Sequence, residues 1–227
     1  KNQVDRVITK YLAFVDKFQT AQDLETATVA DVIKLWQGLG YNRRGLNVQR
    51  AAQKISDDFL GVVPSTTEGL LSLPGVGPYT AAAIQAFAFN QPSTVIETNI
   101  RTVYLYHFFP DRYQVTDQEI LEYIEKTMDR TQPRIWYSAL MDYGTYLKSV
   151  LPNPTRRSKS YVKQSPFATS NRRLRGLIIK SLSDQPKSVH ELAELLALSP
   201  QKVLEVAAEL IKEGFIVQSA DTYRLAT

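Results

Sequence analysis

The sequence predicts an all-α chain that closes in a small winged-helix region carrying one β-hairpin. Three observations predict it. Apolar residues recur at three- and four-residue steps along most of the chain, the period of a helix with one buried face. Helix-start signals repeat, and alternating strand patterns are missing until residue 215. Composition agrees: the 227 residues are 44% hydrophobic and 22% charged, enough for one large domain or two smaller ones with a real core.

The elements follow in order. Val4, Val7, Ile8, Tyr11, Leu12, Val15 and Phe18 form one apolar helical stripe. Ser65-Thr66-Thr67-Glu68, Thr116-Asp117-Gln118-Glu119 and Ser188-Val189-His190-Glu191 read as capping boxes, in which hydroxyl and carboxylate satisfy orphan backbone donors. Ser199-Pro200 is an N-cap followed by proline at the first helical position. Helices are predicted over Arg172–Leu182, Val189–Leu196 and Pro200–Glu213. Phe215-Ile216-Val217-Gln218 and Thr222-Tyr223-Arg224-Leu225 then flank Ser219-Ala220-Asp221 as a hairpin. Three helices and a hairpin in this order make a winged helix.

The domain boundaries read as 1–150 for a helical domain, 151–169 for a basic linker and 170–227 for the winged helix. From Lys148 to Arg175 the chain carries Lys148, Arg156, Arg157, Lys159, Lys163, Arg172, Arg173 and Arg175 with no acidic residue. Pro152, Pro154 and Pro166 argue against a continuous helix there. Unopposed cations at this density fit a phosphate-facing surface, because each neutralised phosphate releases counterions. The winged helix itself is balanced, with 8 basic and 7 acidic residues. Its third helix shows Lys202, Glu205, Glu209, Lys212 and Glu213, so its partner is open between DNA and protein.

Several classes are excluded. With no cysteine, this chain makes no disulfide, thiolate nucleophile, iron–sulfur cluster or Cys-ligated zinc. His107 and His190 are too few for a His-rich metal site. No apolar run approaches the ~18–20 residues of a membrane span, and Lys1-Asn2-Gln3 begins no signal peptide. The expectation is a chain that is not secreted, cytoplasmic and nucleoid-associated or else nuclear, monomeric and with no membrane partner. Lys and Arg total 27 against 23 Asp and Glu; the net charge of +4 permits nucleic acid without requiring it.

Leu73-Pro74-Gly75-Val76-Gly77-Pro78-Tyr79-Thr80-Ala81 carries the chemistry. Gly75 and Gly77 let the backbone take positive φ and approach a ligand closely. The N–H groups that follow open a helix and point at an anion with the helix dipole behind them. These residues resemble the helix-hairpin-helix of the HhH-GPD DNA glycosylase superfamily, whose hairpin grips a DNA phosphate, usually with an alkali cation. The resemblance implies such a cation at the backbone of Leu73, Gly75 and Gly77, with no side-chain metal site and no other cofactor. It extends upstream, where Leu35-Trp36-Gln37-Gly38-Leu39-Gly40-Tyr41 and Arg44 to Asn47 are similar to the MutY-like adenine DNA glycosylase branch. Downstream, Ala139-Leu140-Met141-Asp142-Tyr143-Gly144 matches the segment that in most relatives precedes four cluster-binding cysteines.

Three departures from the family pattern stand out. Glu97, 18 positions after Tyr79, replaces the family's catalytic aspartate and is one methylene longer. The cluster cysteines are replaced by Pro152, Pro154, Arg156, Arg157 and Lys159, as in a clusterless member. The family's general-acid glutamate would precede Lys1, so either the natural chain extends further toward its amino terminus, which is the expectation, or the general acid is absent.

The resemblance implies a monofunctional DNA glycosylase of base excision repair acting on duplex DNA with a mispaired or damaged base. Glu97, Asn99 and Tyr79 would be catalytic, with Glu97 stabilising an oxocarbenium-like sugar. Tyr41 is the candidate wedge, and Arg44, Gly75, Val76, Gly77, Thr80, Arg156, Arg157 and Lys159 are the other DNA contacts. Lyase-competent relatives carry lysine at Tyr79, and a phenol cannot form a Schiff base. Adenine opposite 8-oxoguanine or guanine is the expected target. A thymine or uracil mismatch glycosylase, or a catalytically silent DNA-structure-binding protein, are the alternatives.

Overall fold

Hydroxyl caps set where many of the helices start in the computed structural model, which describes residues 2–163 and 170–227. The stretch 164–169 of the expected linker, Pro166 included, lies outside the described residues. The contacts divide the chain into two compact units, Lys1–Val63 with Ser165–Thr227, and Pro64–Gln164.

The first unit opens with helices α1 (Asn2–Lys17), α2 (Ala21–Glu25), α3 (Val29–Trp36) and α4 (Arg43–Phe59). Thr20 and Thr28 cap α2 and α3, each in a capping box with an aspartate three residues on. The predicted first stripe is helical, but Val7, Ile8, Tyr11, Leu12 and Val15 face solvent, while Phe18 is buried with Leu24, Val32 and Ala52.

The unit's carboxy-terminal part supplies α10 (Asn171–Ser181), β1 (Lys187–Ser188), α11 (Val189–Leu196), α12 (Pro200–Glu213), β2 (Ile216–Ser219) and β3 (Thr222–Leu225). The predicted Ser188–Glu191 capping box and Ser199-Pro200 start are both present. The hairpin pairs Ile216 with Leu225 and Ser219 with Thr222, and β1 joins β3 to make a three-stranded antiparallel sheet. That third strand corrects the expectation of a lone hairpin. Two residues are too few to show an alternating pattern.

This region does not keep a separate core. Ile33 of α3 and Leu46 of α4 are buried in one cluster with Ile178, Leu192, Val206, Leu210, Phe215 and Leu225. The Ala30 N–H donates to the Ala226 carbonyl at 3.0 Å. Arg50 donates to the Glu213 carbonyl at 3.0 Å, binding a last-turn acceptor of α12 to α4. The contact division therefore runs differently from the boundaries read from the sequence.

The second unit holds α5 (Thr67–Leu71), α6 (Pro78–Phe87), α7 (Thr98–Phe108), α8 (Asp117–Thr127) and α9 (Pro133–Val150). Val95, Ile100, Leu105, Ile120, Ile124 and Tyr137 are all fully buried in its core. The Thr116–Glu119 capping box is present. At the earlier predicted box the start shifts by one residue: Thr66 caps α5 by accepting from Gly69 N–H. The residue three beyond Thr66 is then glycine, so no carboxylate can reciprocate.

The front of the expected linker is folded. A 3-10 turn spans Pro154–Arg157, and Thr155 and Ser158 are buried. Val115 N–H donates to Arg157 O at 3.1 Å and Lys159 N–H to Val115 O at 2.9 Å, so the segment straps onto the loop before α8. Chain running over a core must satisfy its backbone groups, and Val115 supplies the partners.

Candidate active site and nucleic-acid interface

In the second unit, α5 and α6 are joined by a tight hairpin from Ser72 to Gly77. Leu73 is buried and anchors it, and Val76 N–H donates to Leu73 O at 3.1 Å. Gly75 sits at φ 80°, a conformation that glycine adopts without a Cβ clash. Gly77 does not share it: its φ of −97° is open to any residue, which corrects the expectation of positive φ at both glycines. What its missing side chain leaves is space, since a Cβ there would meet nothing within 4 Å.

Gly77 caps α6 with no side-chain hydrogen bond, and Pro78 follows at the first helical position. The first-turn N–H groups of Tyr79 and Thr80 thus have neither an intrahelical partner nor a side-chain cap, the arrangement that favours an anion. Val76 contributes differently from expectation, because its N–H is committed to Leu73. The Leu73 and Gly77 carbonyls accept from Val76 and Ala81 and each keeps a second lone pair. With Gly75 they are hard oxygen donors, a chemistry that fits an alkali cation. Among the described residues no three His, Cys, Asp or Glu side chains gather as a metal site.

Glu97 is the N-cap of α7. One of its oxygens, Oε1, accepts from the N–H groups of Asn99 at 2.5 Å and Ile100 at 2.8 Å. The other, Oε2, has the Asn99 amide Nδ2 at 3.5 Å. Capping therefore occupies one oxygen and leaves the second to be presented. Both Glu97 and Asn99 are half-buried, and fully buried Val95 precedes them. Tyr79 is 49% exposed, and its partly buried phenol lies close enough to feel this carboxylate: burial first, and the Glu97 charge second, push it above the usual value. It stays a neutral hydrogen-bond donor at physiological pH.

Two residues outside the predicted site hold this geometry. Gly144 on α9 lies so close to α7 that a Cβ would fall 2.2 Å from the Asn99 carbonyl oxygen. A glycine inside a helical pattern often marks such a close approach. Tyr137, fully buried, donates to Ser93 O at 2.8 Å and accepts from Val95 N–H at 3.1 Å. It ties the segment leading into Glu97 to α9, and no local pattern announces it.

The basic residues of the strap separate. Arg156 and Lys159 are exposed. Arg157 turns inward, donating to Leu105 O at 2.9 Å and to Pro110 O, so its guanidinium satisfies carbonyls near the end of α7.

In the first unit, Tyr41 stands on the turn between α3 and α4 at φ 52°, directly after Gly40 at φ 71°. A left-handed tyrosine costs on the order of 1–2 kcal/mol. Tyr41 as a whole is 55% exposed, so it is no core residue. Arg44 lies 5.3 Å from the ring centroid and 5.9 Å from that of Trp36. Arg172 lies 5.5 Å from the Tyr41 ring and donates to its hydroxyl at 2.7 Å.

Comparison with known proteins bears on this arrangement. The model of the HhH-GPD superfamily base excision DNA repair proteins matches residues 1–129. The adenine DNA glycosylase of Rattus norvegicus is 44% identical over 101 residues, 44% of this chain and 20% of that protein. That of Buchnera aphidicola subsp. Baizongia pistaciae is 29% identical over 152 residues, 65% of this chain and 42% of that protein. The chain thus spans less than half of the length of these relatives. A thermostable thymine-DNA glycosylase structure superposes with a TM-score of 0.56 at 22% identity, covering 66% of this chain and 70% of that one. A trapped endonuclease III–DNA intermediate gives 0.55 at 21% identity, covering 71% and 70%. These two share the fold. With the helical hairpin and the capped carboxylate already in place, the family match is decisive: the chain belongs to the HhH-GPD superfamily of base excision DNA repair proteins.

Proposed function

We propose that this chain carries the catalytic machinery of a monofunctional DNA glycosylase that removes adenine mispaired with 8-oxoguanine or guanine. The observation that supports it most is Glu97. Its Oε1 is held by two backbone N–H groups at the start of α7 and its Oε2 is left for the sugar. The sequence relatives named above are adenine DNA glycosylases, which favours adenine over thymine or uracil.

A base in a duplex is stacked, so the target nucleotide must be flipped out at a cost of a few kcal/mol. The first-turn N–H groups of α6 and the open backbone at Gly77 would hold a phosphate, and a cation on the hairpin carbonyls would add positive charge there. Arg156 and Lys159 would hold the backbone, and Tyr41 would fill the vacated stack. The C1′–N9 bond then breaks with its electron pair leaving on the base, which takes up a proton. The sugar becomes an oxocarbenium-like cation, and the Glu97 Oε2 stabilises it as a carboxylate does in glycosidases. Water adds to C1′ and releases a proton, with Asn99 orienting it. Tyr79 lines the pocket as a neutral phenol and, unlike an amine, forms no Schiff base, so the product is an intact abasic site.

The test is single-turnover base release from A:8-oxoG, A:G, T:G and U:G duplexes by the full-length natural protein and its Glu97→Gln variant. Adenine release that falls at least ~10²-fold in Glu97→Gln is expected, with no strand nicking before heat or base. Release of thymine or uracil alone would move the assignment to a mismatch pyrimidine glycosylase. Binding without release of any base would leave a silent DNA-binding protein.

A further inference from the structure

Four arginines of α4 and α10 fall into two groups. Arg43 and Arg175 are neutralised: both bond the Glu213 carboxylate, at 2.5 and 2.6 Å, and Arg175 also bonds Glu209 at 3.1 Å. Arg44 and Arg172, from the same two helices, have no carboxylate partner among the described residues. Instead both are drawn to one exposed ring, that of Tyr41, at 5.3 and 5.5 Å. Two guanidiniums gathered at one ring repel each other. The negative face of a tyrosine offsets part of that repulsion, and an anion would offset the rest.

We propose that Arg172 and Arg44 form a phosphate-binding clasp around Tyr41, through which the winged-helix region enters DNA contact by way of α10 rather than α12. The inference rests on the reading of this protein as an enzyme of duplex DNA. It assigns to the carboxy-terminal region a contact in the same turn that carries the candidate wedge.

The state of α12 supports the same division of labour. In a winged helix the third helix is the usual reader of a groove. Here Val203, Val206, Ala207 and Leu210 are buried on one side of it. On the rest, Lys202 is paired with Glu205 and Glu209 with Arg175. That surface offers a phosphate little net attraction. Arg172 has its hydroxyl anchor on Tyr41 and leaves further guanidinium donors for an oxygen of the backbone, in the fork geometry suited to phosphate. Tyr41 is 55% exposed, so a sugar or a base can reach it.

The full chain is titrated onto a fluorescent A:G duplex over a series of salt concentrations, comparing wild type with Arg172→Gln, Arg172→Lys, Arg44→Gln and Lys202→Gln. Each lost phosphate contact should lower the slope of log K against log salt by about 0.9, equivalent to about 8-fold in affinity at 0.1 M salt. That change is expected for Arg172→Gln and Arg44→Gln. Lysine at 172 should keep the slope, since it keeps the charge, and Lys202→Gln should match wild type. Thermal unfolding midpoints close to wild type exclude misfolding as the cause; if Arg172→Gln is destabilised, the lysine variant decides. Wild-type slope in Arg172→Gln, or a loss in Lys202→Gln instead, overturns the proposal. Failure of the wild-type chain to bind any duplex would instead sink the DNA-enzyme reading on which it rests.

Discussion

Gly144→Ala tests whether the contact between α7 and α9 sets the position of the candidate catalytic carboxylate. A Cβ at 144 would lie 2.2 Å from the Asn99 oxygen, 2.6 Å from its carbonyl carbon and 2.9 Å from its Cα. All three atoms are backbone, so no side chain can swing away. Relieving the clash requires the first turn of α7 to move by on the order of 1 Å, and overpacking of this kind costs ~1–3 kcal/mol. For a chain of this size each kcal/mol is worth roughly 2–4 °C in Tm, which predicts a fall of about 2–12 °C. Glu97 and Asn99 ride on the same turn, and a 1 Å misplacement of a reacting group can cost ~10²-fold in rate. Differential scanning fluorimetry and single-turnover adenine release would measure the two effects together. A variant with wild-type Tm and wild-type rate would refute the reasoning.

Three further outcomes are expected. Gly77→Ala, with open space around the new Cβ and an ordinary φ, should leave Tm unchanged but weaken duplex binding by crowding the hairpin; a lowered Tm would contradict it. Tyr137→Phe strips partners from Ser93 O and Val95 N–H, so urea unfolding should show a loss of ~1–3 kcal/mol, and an unchanged midpoint would argue against the staple. Glu119 is held down to about 2 from 4.5 by bonds from the Thr116 backbone and hydroxyl and from Arg112. A lowered carboxylate pKa stabilises the fold above 4.5, and that contribution disappears as pH falls from 4.5 through about 2. Glu119→Gln should therefore be less stable than wild type in urea at pH 7 and equal to it near pH 2; an equal deficit at both would be inconsistent.

Much of the fold could be read from local signals. The helices over 189–196 and 200–213 begin and end at the predicted residues, because Ser188 and Ser199 bond the N–H groups of their own first turns. The first stripe was legible as a helix, yet its period could not say which face would be covered, and Val7 through Val15 lie exposed. The basic stretch was legible as composition, but nothing local separates exposed Arg156 from Arg157, whose guanidinium reaches carbonyls some 50 positions earlier. The same holds for the site. Glu97 and Tyr79 stand out through the resemblance, whereas Tyr137 acts on residues more than 40 positions away and leaves no trace in its own neighbourhood.

The sequence by itself determined the helical class, the glycine hairpin opening a helix and the absence of any cysteine ligand. Each depends on residues close together along the chain, through periodicity, capping or backbone sterics. Tertiary structure alone decided that the carboxy-terminal region shares a core with Ile33 and Leu46, that Arg172 meets Tyr41, and that Gly144 brings α9 against Asn99. Those outcomes join residues far apart in sequence, and they are selected by which apolar faces and unpaired polar groups fit together in space.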